Sequence, residues 1–208
     1  MRKRGKDFNY RQKRNVVIVV SIVISAAFYF ISNTSSSYLF SARNASFFIR
    51  IVSTIVLLLA FYAFDHIYNL RFNIRHYAFA ILIVLSSIIL SPLYFVFPEY
   101  DKILHFIQPM LFSSIVLYSI FPLKIDLKWK LAFTFFIVIG VLGLFEIGEY
   151  LLDIAFDWRL QGVYLLQGEN LSLLMNRIDD TMIDMIIGTL GTLVYILSVG
   201  IIYRNRRK

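Results

Sequence analysis

Six stretches of this chain stay apolar for roughly 20 residues at a time, the length an α-helix needs to cross a bilayer. They run 15–31, 47–64, 77–97, 103–123, 129–152 and 181–203. Within hydrocarbon no water satisfies the backbone, so each stretch must bond internally as a helix. Composition agrees: 59% of the residues are hydrophobic and 16% charged, where a soluble domain carries about 25% charged residues. The expected fold is all-α, a polytopic bundle of six transmembrane helices forming one domain over 15–203. Basic tails, 1–14 and 204–208, flank it. Arg50 falls inside the second stretch, near an end, where its long stem lets the charge snorkel to the interface.

The formal charge of +8 could suggest nucleic acid, but its distribution says otherwise. If the six stretches alternate in direction, 16 of the 21 Lys and Arg residues fall on one side. They sit in the N-terminal tail, around Arg71 and Arg75, around Lys124, Lys128 and Lys130, and in the C-terminal tail. Positive charge is retained in the cytoplasm, so both termini are expected there, in a plasma-membrane protein. The basic balance then reflects topology and contact with anionic lipid, with no nucleic-acid partner. The first stretch is longer than a secretory signal's core and reads as an uncleaved anchor. Asn33, Asn44 and Asn170 open Asn-x-Ser sequences in outer loops. Trp129 and Trp158, one at each interface, read as aromatic anchors. His66 and His76, in the second loop, read as solvated. The absence of cysteine excludes disulfides, thiolate metal sites and cysteine nucleophiles.

The functional signal is a set of acids where lipid-facing sequence would have none. "EYDKILHF" opens the fourth stretch with Asp101, Lys102 and His105; "FEIGEY" closes the fifth with Glu146 and Glu149; "RIDDTMIDM" opens the sixth with Arg177, Asp180 and Asp184. In the alternating topology all three lie at the outer ends of consecutive helices. Asp101 with His105 and Asp180 with Asp184 are spaced i, i+4, and Glu146 with Glu149 i, i+3, so each pair shares a helix face. Gly188 and Gly191 continue the Asp180–Asp184 face and would let a neighbouring helix approach closely. Ionisable groups inside a membrane point to function. Carboxylates sharing a space need a bound divalent cation, for which oxygen and imidazole ligands are suited, or protonation, which would leave groups able to act as general acid or base, together with internal salt bridges to Lys102, Arg159 and Arg177. The candidate site is therefore Asp101, His105, Glu146, Glu149, Asp180 and Asp184, supported by Lys102 and Arg177. The plainer reading makes Asp101, Asp179 and Asp180 helix N-caps at a wet interface, Glu149 an interfacial acid and His105 a structural hydrogen bonder. The outer loop, 153–180, is half apolar and long enough to serve as a lid; "VYLL" and "LSLLM" could lie flat on the leaflet, with Gly162 and Gly168 as breaks.

"YDKILHF", "FEIGEY" and "DDTMIDMIIGTLG" together resemble the YjdF-like family of uncharacterised bacterial membrane-spanning proteins, and more distantly the VanZ-like family of a teicoplanin-resistance accessory. The YjdF-like pattern matches at Asp101, Lys102 and His105, at Glu146 and Glu149, and at Asp180, Thr181, Asp184 and Gly191. The VanZ-like pattern has Gln and Asn where this chain has Glu149 and Gly188. The likeness covers roughly residues 95–203 and implies a shared helical fold and polar site without implying a reaction. Three functions are open: an enzyme acting on a lipid or lipid-linked envelope substrate with a divalent cation as Lewis acid, a non-catalytic envelope or resistance accessory, and a cation- or proton-coupled transporter. Transport is disfavoured because the inner halves of the stretches carry no polar path.

Overall fold

The computed structural model describes residues 47–167 and 170–206, with scattered helical residues between Gln12 and Ala27. Five α-helices follow in order: α1 Phe47–Ile67, α2 Ile74–Val84, α3 Glu99–Ile120, α4 Leu127–Phe156 and α5 Arg177–Asn205. An antiparallel hairpin, β1 Val163–Gln167 with β2 Asn170–Met175, joins α4 to α5. Among the described residues four helices are long and apolar enough to cross a membrane: Ile49–Ile67, Glu99–Ile120, Leu127–Phe156 and Arg177–Asn205. Their outward faces carry exposed Phe136, Leu144, Ile186 and Leu197, a surface that suits hydrocarbon rather than water. The first expected stretch, 15–31, lies mostly outside the described residues, as does the N-terminal tail.

The third expected stretch, 77–97, is not one continuous helix. After α2 the chain widens into a π-turn, Leu85–Ile89, then tightens into a 3-10 turn, Ser91–Phe95. The sequence explains both. The Ser86 hydroxyl donates to the Leu82 and Ile83 carbonyls and competes with the regular ladder. Pro92 then has no N–H to continue it. The apolar helix is left short, Ile74–Ile89.

α3 and α5 pack closely because α5 has no side chain where they touch. A Cβ at Gly191 would run into the Phe106 carbonyl of α3, and one at Gly188 into the Leu142 side chain of α4. Pro109 inside α3 removes the amide that would bond the His105 carbonyl; that oxygen lies 3.3 Å from where a Cβ on Gly188 would stand. Two glycines, one and two turns deeper than Asp184, thus seat α5 against α3 and α4 just beneath the acidic residues.

The opposite end holds a polar centre that nothing in the sequence pattern announces. Asp65, fully buried at the end of α1, accepts from Lys13 Nζ at 3.0 Å, the Tyr77 hydroxyl at 2.7 Å and the Phe72 amide at 3.1 Å. It fastens the α1–α2 turn. His76, expected in solvent, is buried there too, its ring 4.3 Å from that of Tyr118 and 5.4 Å from that of Phe72. The reason is register: Asn73 caps α2, accepting from the Arg75 and His76 amides, and so turns His76 inward on the first helical turn. His66 is exposed, as expected.

Candidate functional site

Lys102 is the hub of the acidic cluster. It sits on the first turn of α3, one residue after Asp101, and reaches across to α5. Its ammonium lies 2.9 Å from Asp101 Oδ2, 2.7 Å and 2.9 Å from the two oxygens of Asp184, and bonds Asp180 Oδ1. Asp180 and Asp184 come to the same nitrogen because i, i+4 spacing stacks them on the α5 face that the glycines press against α3. Their side chains are only 4% and 3% exposed, so this is a buried ion cluster and not a wet rim.

His105 extends the centre one turn deeper. Its Nε2 lies 3.6 Å from Asp101 Oδ1, and its Nδ1 3.8 Å from Glu146 Oε1 of α4. Both separations exceed hydrogen-bond length. His105 Nδ1 and Glu146 Oε1 are buried and find no hydrogen-bond partner, a costly arrangement unless another group completes it.

Five of the six expected acids and imidazoles therefore meet: Asp101, His105, Glu146, Asp180 and Asp184. Glu149 does not join them. One helical turn beyond Glu146 places it on the wall of a neighbouring cavity. Arg177 opens α5 on the same face as Asp180 and Asp184, but it is exposed and pairs with no carboxylate among the described residues. Arg159 lines a small cleft with Asp101. Of the three cations expected to balance the acids, Lys102 is the one that binds them.

The N-cap reading of the aspartates does not hold. Pro98 precedes α3 and gives no side-chain cap. Asn176 caps α5, accepting from the Asp179 amide at 3.0 Å while its own amide donates to the Asp179 carboxylate. Asp180 and Asp184 are free to point inward. Asp180 also holds the outer loop, since its Oδ2 accepts from the Gly162 amide at 2.7 Å. Beside it, Gln161 donates to the Thr181 hydroxyl at 3.0 Å.

The loop expected to lie flat is the β-hairpin, and it is tied down at its base. Asp157 leaves α4 in the left-handed region, and the Asp153 carboxylate accepts the Leu160 amide at 2.6 Å and the Gln161 amide at 3.1 Å. Gly162, with φ of 89°, makes the final turn into β1, a conformation that disfavours any side chain. β1 then leans on the 3-10 turn Ser91–Phe95. Residues 168–169, including the expected break at Gly168, lie outside the described residues.

Beside the acid centre is a cavity of about 630 Å³ between α1, α2, α3 and α4, with His105 in its wall. Arg50, expected to snorkel outward, is 4% exposed and lines this cavity instead. Its position one turn into α1 puts the side chain on the inward face.

A family model described as a predicted membrane protein (DUF2238) matches residues 14–206. The chain belongs to the DUF2238 family. Comparison with curated proteins and with solved structures found no match. Membership in DUF2238 agrees with the apolar helices and makes this a membrane protein. The matched span of the DUF2238 model contains every residue of the acid centre and the cavity.

As a metal site, the centre offers Asp101, His105 and Asp184, each with one ligand atom, all within 4.8 Å of one another. Oxygen ligands stand about 2.0–2.1 Å from Mg²⁺ and 2.3–2.6 Å from Ca²⁺. The residue types fit a divalent cation, and the imidazole widens the choice beyond Mg²⁺ and Ca²⁺ to transition metals. Lys102 holds both oxygens of Asp184, so a metal would have to share or displace the ammonium.

Proposed function

We propose that this is a plasma-membrane protein of six spans, with both termini in the cytoplasm, whose acid centre faces the outer leaflet and engages the polar part of a lipid or lipid-linked envelope ligand. The charge count supports the orientation. Arg71 and Arg75 lie at the α1–α2 turn, Lys124, Lys128 and Lys130 between α3 and the first turn of α4, and Arg204 and Arg206 at the end of α5, all at the end away from the acid centre. The observation that carries the reading is the imbalance of the centre. Three carboxylates, of Asp101, Asp180 and Asp184, bond one ammonium, a fourth, of Glu146, lies beside His105, and one buried polar atom on each of His105 and Glu146 has no hydrogen-bond partner. That combination calls for a further proton, cation or polar group.

A divalent cation held by Asp101, His105 and Asp184 would supply Lewis acidity toward a phosphate or ester. Binding without turnover is the second reading, favoured by Lys102, which already occupies the oxygens a metal would need. Metal analysis of the purified protein beside an Asp184→Asn, Glu146→Gln double variant separates them. Metal in the wild type that the variant lacks supports the first. Equal, negligible metal in both removes it and leaves ligand binding. The centre itself is tested by reporter fusions: Glu146 and Asp184 facing opposite compartments would dissolve the reading.

A further inference from the structure

The 630 Å³ cavity lies within the range of about 300–1,000 Å³ typical of small-molecule sites, and its lining is graded along one axis. On α3 it runs from His105 and Gln108 to Phe112; on α1 from Arg50 and Ser53 to Leu57. On α4 it runs from Glu149 back to Leu142 and Val138. The segment leaving α2 climbs from Ile83 and Val84 to Ser87 and Ser91. Four elements thus place all their polar lining residues, among apolar ones such as Ile49 and Phe145, at the end shared with the acid centre, and leave only apolar residues deeper. From Glu149 to Val138 is eleven helical residues, about 16 Å at 1.5 Å per residue. That is close to half of the roughly 30 Å hydrocarbon core, the depth of one leaflet.

We infer that this cavity takes one hydrocarbon chain of a membrane amphiphile, its polar head held at the level of Arg50, His105 and Glu149. A chain is the occupant that matches the gradient and the depth together. Water would leave the deep walls of Val138, Leu142 and Phe112 unfavourably wet, and a compact polar solute would meet no partner there. This deepens the proposed function by naming the apolar part of its ligand, and rests on that reading for the outer-leaflet origin of the chain.

The test uses the full chain in vesicles of phosphatidylglycerol and phosphatidylcholine, with a trace of phosphatidylcholine bearing a mid-chain diazirine, followed by peptide mass spectrometry. Outward-facing Phe136 and Ile147, 69% and 56% exposed, are labelled in any event. Val138 and Leu142, 2% and 7% exposed, are labelled only if a chain enters the cavity. Gly148 lines the cavity with open space where a Cβ would stand, so Gly148→Leu starts its side chain in free space and adds bulk to the cavity. It is expected to cut labelling of Val138 and Leu142 severalfold and leave Phe136 and Ile147 unchanged, while Gly148→Ala keeps both. Wild-type labelling confined to the outward residues overturns the inference, as does cavity labelling that survives Gly148→Leu. The readout residues lie outside the acid centre, so failure here is distinct from failure of the metal experiment.

Discussion

Lys102 carries one charge against three directly bonded carboxylates, so its removal should be felt beyond the loss of its own contacts. Breaking a buried ion cluster by removing one partner typically costs about 3–5 kcal/mol, because the opposite charges stay buried. Lys102→Met is expected to lower the thermal unfolding midpoint sharply in detergent, and Lys102→Arg to restore part of it; a midpoint equal to wild type for Lys102→Met would show the carboxylates were balanced otherwise. At the far end, burial chiefly, and then the neighbouring Arg75 charge, push the His76 imidazole from 6.5 down to about 4, Asp65 partly opposing. The folded state then binds fewer protons than the unfolded state between those values, so stability present above pH 6.5 drains away as pH falls toward 4. His76→Phe should flatten that limb in a pH series of unfolding midpoints. The weight of neither the lysine nor the histidine is legible in sequence alone. Lys102 lies within a visible Asp-Lys-x-x-His pattern, but which charge becomes the hub depends on contacts between residues 78 and 82 positions apart.

The element scale is where the two glycines of α5 matter. Gly191 faces the backbone carbonyl of Phe106 and Gly188 the flexible end of Leu142. Backbone cannot step aside as a side chain can, so Gly191→Ala should cost more than Gly188→Ala, about 1–3 kcal/mol by overpacking, and should disturb α3 with it. Gly140→Ala has open space around its Cβ and should gain up to about 1 kcal/mol of helix propensity. Unfolding midpoints that rank the three otherwise would contradict the α3–α5 packing. This interface was legible in the sequence, because the Asp180–Asp184–Gly188–Gly191 spacing is a helical face whatever surrounds it. The hairpin was not. "VYLL" and "LSLLM" are short apolar runs, ambiguous between strand, helix and surface loop, and what decides among them is Asp153 gathering the Leu160 and Gln161 amides at the base of the loop. The break in the third stretch leaves only Ser-Pro at 91–92 as a sequence mark, set within a continuous apolar run.

For the whole molecule, the distribution of charge makes a claim about sides. The chain has no cysteine, so single cysteines can be placed on an otherwise silent background. Asn170→Cys on the hairpin should react with an impermeant maleimide in intact cells, and Lys128→Cys only after permeabilisation. The reverse pattern would put the acid centre on the cytoplasmic side. Orientation belongs to this scale because it follows from charges summed over loops; no pair of contacting residues encodes it.

Asp180 answers to two masters, the ammonium of α3 through one oxygen and the amide of Gly162 through the other. Neutralising it therefore confounds electrostatics with the anchoring of the surface ribbon, and a lost phenotype would not say which mattered. Asp184, whose two oxygens both turn to the same lysine, is the cleaner lever for anyone dissecting this protein genetically.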